Sequence, residues 1–243
     1  MWFNACAAHD SKTLRTRKPR TYGHCPGLVQ RFVRLAAGLV LYGVLAAGTA
    51  MAADRPMRIV ALGDSLTAGF HLPASSAFPA RLERALKGKG MEVEITNAGV
   101  SGDTALGGLS RLDWSVPEGT DAVILELGAN DALRGVDPKL TRQALENIVR
   151  TLKDRGVEVL LAGMRAPPNM GADYRRAFDA IYPDLATTYG LVYYPFFLDG
   201  IAANSKLNLG DGIHPNAAGI DIIVGRILPK VQELIARVQA RRS

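Results

Sequence analysis

The chain has 243 residues, of which 48% are hydrophobic and 21% charged, with a formal net charge of +6. This is ordinary globular composition, which excludes collagen-like, coiled-coil and disordered readings. Seven of the 29 basic residues and one of the 23 acidic ones lie in residues 1–34, so the excess charge belongs to the N-terminus, and a nucleic-acid partner loses its electrostatic support.

In chain order, the first element is a leader. Leu35 to Ala53 is apolar and uncharged, follows Arg31 and Arg34, and ends in an A-x-A-like stretch, Ala50-Met51-Ala52-Ala53, rich in small alanines. A basic n-region, an apolar h-region and a small-residue end read as an export signal over residues 1–53, with a domain over 54–243. The competing reading is an uncleaved anchor, since the stretch approaches spanning length, but an anchor has no use for the small-residue end. A periplasmic or secreted monomer is expected, with no stable membrane anchor after cleavage and only transient contact with lipids. Cys6 and Cys25 precede the cleavage region, so the mature domain has no thiol and only two histidines, His71 and His214. That rules out disulfides, a cysteine nucleophile and Cys-ligated metal, and no cofactor or metal is implied.

Arg58 to Leu62 is a short apolar run ending at Gly63 and reads as a buried strand. Ser76 to Leu86 has helical spacing, stopped by Gly88 and Gly90. Glu92 to Thr96 is strand-like, Asn97 to Gly108 a loop before a short helix, and Ala122 to Leu127 a second buried strand. Thr141 to Arg155 is an amphipathic helix, and Val157 to Ala162 a strand followed by a Pro167-Pro168 loop. Tyr174 to Tyr189 reads as a helix kinked at Pro183, Leu191 to Tyr194 as a strand, and Ala217 to Val238 as the terminal helix, bent at Pro229. Strands alternating with helices predict an α/β fold: a three-layer, doubly wound parallel sheet with helices on both faces. Ligands of such sheets sit beyond the carboxyl ends of the strands, which directs attention to the loops there.

Those loops read Gly63-Asp64-Ser65-Leu66, Ser101-Gly102-Asp103, Gly128-Ala129-Asn130-Asp131 and Asp211-Gly212-Ile213-His214. A serine hydroxyl attacks only when a base takes its proton. Ser65 sits where a strand ends and a helix begins, His214 is the candidate base, and Asp211 lies three residues before it. From there its carboxylate, or a nearby backbone carbonyl, can fix the imidazole tautomer. The candidate oxyanion donors are the Ser65 N–H, the Gly102 N–H and the Asn130 amide. Taken singly, Ser65 would be a helix cap, Asn130 a turn residue and His214 an exposed loop histidine. Taken together, those readings leave unexplained why one of only two mature histidines follows Asp211 by three. His71, six residues after Ser65, is the rival base. Asp64 reads as a capping residue, and Asp103 and Asp131 as acceptors for loop N–H groups.

The four ordered blocks resemble the SGNH (GDSL) esterases and lipases, over nearly all of Arg58 to Val231. The resemblance implies a five-stranded, flavodoxin-like sheet. It assigns nucleophile, base and orienter to Ser65, His214 and Asp211, and the oxyanion hole to Ser65, Gly102 and Asn130. It also implies small-molecule ester and thioester substrates: fatty acyl thioesters, lysophospholipids and aryl or alkyl esters. The acyl-binding surface is expected around Leu106 and Leu109 and around Ala166, Pro167, Pro168 and Met170, where thioesterase-like members hold the acyl chain. A structural turn is the other reading of that loop. Arg134 and Arg165 are candidates to contact a phosphate of coenzyme A or of a phospholipid, with surface salt bridges as the plainer reading. Competing functions are a carbohydrate deacetylase on the same scaffold and a non-catalytic binding module, which would have a broken constellation.

Overall fold

The first strand, β1 (Met57–Gly63), is buried at every position except Arg58. Such a strand needs partners on both edges and cover on both faces. In this computed structural model, which describes residues 55–242, it has them. β2 (Val93–Gly99) pairs with one edge and β3 (Ala122–Glu126) with the other, both parallel. β4 (Glu158–Ala162) and β5 (Val192–Tyr194) extend the sheet beyond β3, giving the parallel order β2-β1-β3-β4-β5. The leader read in residues 1–53 lies outside the described residues. No helix among the described residues is long and apolar enough to cross a membrane.

The helices are α1 (Ser65–Ala68), α2 (Phe78–Lys87), α3 (Ala105–Ser110), α4 (Leu112–Ser115), α5 (Ala129–Leu133), α6 (Pro138–Asp154), α7 (Ala172–Asp179), α8 (Ile181–Tyr189) and α9 (Ala217–Arg242). α2 packs on β2 and α9, and α6 packs on α3, α8 and β4. These groups of helices make the outer layers. α2 buries Phe78, Leu82 and Leu86, one turn apart on a single stripe, each worth about 1.5–3 kcal/mol when removed from water. α6 does the same with Leu145, Ile148, Val149 and Leu152.

Three boundaries differ from the sequence reading. β2 continues through Asn97, Ala98 and Gly99, because these residues pair with Ala61, Leu62 and Gly63 of β1. The helix expected over Tyr174 to Tyr189 divides into α7 and α8 at Ala180 rather than kinking at Pro183. A proline ring presses on the carbonyl four residues back, so the break falls one turn earlier. α9 runs on to Arg242 with Pro229 inside it. The chain leaves β1 for β2 on one side and passes to β3 on the other, so the switch point lies between β1 and β3. The crevice at their carboxyl ends is where this sheet topology places a ligand.

Candidate active site

The loop after β1 enters that crevice directly. Asp64 caps α1 by accepting the Leu66 N–H at 2.9 Å, and Ser65 becomes its first residue. The crowding under this turn is severe: a Cβ at Gly63 would lie 2.7 Å from the Glu126 carbonyl and 2.1 Å from Thr67 Oγ1. Only glycine lets β1 and β3 close beneath the serine. Gly69, at φ +82°, then folds the chain back so that the Gly69 and Phe70 N–H groups both donate to the Ser65 carbonyl, each at 3.1 Å.

His214 arrives from the other end of the chain. The Asp211 Oδ1 atom accepts the N–H groups of Ile213 and His214, at 2.9 and 3.0 Å. Its Oδ2 lies 2.7 Å from His214 Nδ1. These donors hold the Asp211 carboxyl at about 2, the backbone N–H groups of His214 and Ile213 contributing most. A carboxylate at Nδ1 fixes the proton there, which leaves the Nε2 lone pair facing Ser65 Oγ at 2.9 Å. Residues 149 positions apart thus meet in one hydrogen bond. Phe70 covers the imidazole, with ring centroids 4.3 Å apart. His71 is held at φ +56° with its ring edge-on to Phe70 rather than on Ser65.

Gly102 has φ +86°, a conformation that favours glycine. Arg134 Nη2 donates to its carbonyl at 2.8 Å and anchors the turn. Asn130, at the start of α5, points its amide between two loops: Nδ2 donates to Asp64 Oδ2 at 3.1 Å and to the Asp103 carbonyl at 2.9 Å. Asp131 accepts the Ala105 N–H at 2.8 Å and the Thr141 hydroxyl at 3.0 Å, tying α3 and α6 to this loop. Asp103 does not take a loop N–H as expected; its Oδ2 takes the guanidinium of the buried Arg111 at 2.6 Å.

Arg111 lies outside the four sequence blocks. It donates to the carbonyls of Gly63 and Ala98, at 2.8 and 2.9 Å, and so stitches the ends of β1 and β2 to the Gly102 loop. A lone arginine beside the apolar Leu109 and Leu112 was the available signal. Beneath the serine, fully buried Glu126 accepts the Thr67 hydroxyl at 2.7 Å, while its other oxygen has no partner. Burial raises the Glu126 carboxyl well above its ordinary value and lifts Asp64 to about 6, with the Leu66 and Asn130 donors holding Asp64 down. Among the described residues no cluster of three or more His, Cys, Asp or Glu side chains is placed to hold a metal ion.

Ser65, Asn130 and His214 open on a cavity of about 180 Å³, with walls that include Leu133, Met164, Pro167, Phe196, Leu198 and Ile213. Of the acyl-binding residues expected from sequence, Pro167 lies on this wall. Leu106 is 66% exposed on α3, Leu109 packs against the core, and Ala166 is buried with its N–H on Asp179. Pro168 and Met170 form a short 3-10 turn beyond the wall. Among the described residues neither Arg134 nor Arg165 forms the surface salt bridge expected as the plainer reading. Arg134 is spent on Gly102, and Arg165 lies 4.9 Å over the Phe196 ring.

Residues 61–222 match the GDSL-like Lipase/Acylhydrolase family. The chain belongs to that family. Among its relatives are an arylesterase of Vibrio mimicus, 38% identical over 73% of this chain and 87% of that one. Thioesterase 1/protease 1/lysophospholipase L1 of Escherichia coli K12 is 38% identical over 80% and 91%. Esterase TesA of Pseudomonas aeruginosa is 34% identical over 81% and 98%. Among solved structures, TesA superposes with a TM-score of 0.70 at 34% identity, covering 73% of this chain and 99% of that one. The SGNH-family esterase AlinE4 gives 0.63 at 43% identity, covering 74% and 96%. As a member of this acylhydrolase family, the protein is an ester hydrolase.

Proposed function

We propose that the protein is an exported serine esterase and thioesterase working through an acyl-Ser65 intermediate. The observation that carries this reading is the relay Asp211 Oδ2 to His214 Nδ1, then His214 Nε2 to Ser65 Oγ, at 2.7 and 2.9 Å. In acylation, Nε2 takes the Ser65 proton as Oγ bonds to the substrate carbonyl carbon. The imidazolium then gives that proton to the leaving alkoxide or thiolate. Water repeats the sequence on the acyl-serine, releasing the acid and restoring Ser65. Asp211 keeps the proton on Nδ1 and stabilises the transient imidazolium.

The negative charge on the former carbonyl oxygen falls to the Ser65 N–H, the Gly102 N–H and the Asn130 amide. Among the described residues, neither of those two N–H groups donates to another group. Asn130 now gives both its hydrogens to Asp64 and Asp103, and the longer bond, to Asp64, is the one an oxyanion would take over. The apolar walls favour acyl chains over sugars, and the intact constellation disfavours a binding-only role. The cavity is lined within a single chain, so a monomer suffices. Ser65→Ala should lower turnover of a p-nitrophenyl ester by at least about a thousandfold while the melting temperature stays near that of the parent. Retained turnover would refute the proposal. Residues 1–53 supply the export signal, and the mass of the exported chain reports their removal.

A further inference from the structure

The cavity beside Ser65 carries one fixed charge on its wall. Among its lining residues there is no carboxylate, and the one residue charged at every pH is Arg165. Its guanidinium lies 4.9 Å from the centroid of the Phe196 ring, another wall residue. Among the described residues Arg165 forms no hydrogen bond or ion pair. Asp179, close enough to influence the same Tyr193, accepts the Ala166 N–H instead.

The backbone around this cation is anchored. Gly163 donates to the Tyr194 carbonyl at 2.7 Å and accepts from the Phe197 N–H at 2.8 Å, which fixes the chain entering and leaving the Arg165–Phe196 pair. A Cβ at Gly163 would lie 2.4 Å from the Pro195 carbonyl, so the two segments are in direct contact. Met164 on one side of Arg165 and Ala166 on the other are buried. The stem is therefore placed while the fork of N–H donors stays unspent. A planar fork at the edge of an apolar cavity fits a phosphate, carboxylate or sulfonate better than any neutral group.

We propose that Arg165 is an anion-recognising element of the active site, selecting acyl esters and thioesters that carry a negative charge beyond the scissile bond. This rests on the reading of Ser65 as the nucleophile. The shared chemistry is a substrate oxyanion, located either on the leaving-group side or at the far end of the acyl chain.

Three esters of equal acyl length separate these sources: a neutral p-nitrophenyl ester, an aryl ester with a sulfonate on the leaving ring, and a p-nitrophenyl monoester of a dicarboxylic acid. In Arg165→Met, which keeps an apolar stem over Phe196, kcat/KM for one of the charged esters should fall roughly five- to tenfold more than for the neutral ester. The change should sit mainly in KM, and the charged substrate that responds identifies the side on which the anion binds. Arg165→Lys should keep part of the preference. In the parent, added salt should weaken the charged substrate selectively. An unmoved charged-to-neutral ratio in both variants, with no selective salt effect in the parent, would overturn the proposal. Were Ser65→Ala inactive on all three esters at the same time, the serine mechanism would stand and this inference alone would fall.

Discussion

Asn130 joins two demands in one side chain. Its amide is a candidate donor to the oxyanion, and at rest it donates to buried Asp64 at 3.1 Å. Removing it should therefore damage both chemistry and folding, with separate signatures. For Asn130→Ala, kcat should fall about a hundred- to a thousandfold, the usual loss for one oxyanion donor, with little change in KM. The Asn130 bond also stabilises the charged form of Asp64. Its loss should lower the melting temperature more at pH 8, where Asp64 is ionised, than at pH 5, where it takes up a proton. A uniform loss at both pH values would show that the amide does not serve Asp64. The candidate residues Ser65, Asn130, Asp211 and His214, which the structure brings together, were legible in the sequence because each stands in a short glycine-containing block at a turn into a helix or just before one. Arg111 was not, because its partners Gly63, Ala98 and Asp103 come from three different segments.

At the scale of elements, the site depends on how closely α1 rests on the ends of β1 and β2. A Cβ at Gly99 would lie 2.2 Å from the Ala68 nitrogen and 2.7 Å from its Cα, both backbone atoms of α1. No rotamer change relieves such a clash, so α1 must shift, and Ser65 with it. Gly99→Ala should cost about 1–3 kcal/mol of stability, the usual range for overpacking, and should lower kcat because the Ser65–His214 bond lengthens. Parent-like melting and parent-like kcat together would contradict this account of the turn. Hydrophobic periodicity made the strands and long helices legible, since burial repeats along one element. It could not assemble the cavity wall: Leu133 ends α5 while Met164, Phe196 and Ile213 come from three loops, and no pattern within one segment reports which segments meet. That is why only Pro167 of the expected acyl-binding residues lies on it.

The whole molecule carries the imprint of two buried carboxyls in its pH response. Asp64 and Glu126 sit beneath the Ser65 turn, one raised to about 6 and the other raised well above its ordinary value, both chiefly by burial. Unfolded, they would titrate near about 4. Between those limits the native state binds more protons than the unfolded chain, so this contribution to stability declines as pH rises. For Asp64 the decline runs from about pH 4 to about 6; for Glu126 it continues higher. Asp211 acts in the opposite sense: held at about 2, it contributes stability above about pH 4 that is lost as pH falls toward 2. The melting temperature should therefore rise as pH is lowered from 8 to about 4, then fall in stronger acid. Glu126→Gln keeps an acceptor for the Thr67 hydroxyl and removes the buried acid. It should flatten the slope between pH 5 and 8 and raise the melting temperature most at pH 8. Differential scanning fluorimetry of parent and variant across pH 3 to 9 reads both effects. A parent whose melting temperature climbs steadily from pH 5 to 8 would show that these carboxyls are not held protonated by the fold.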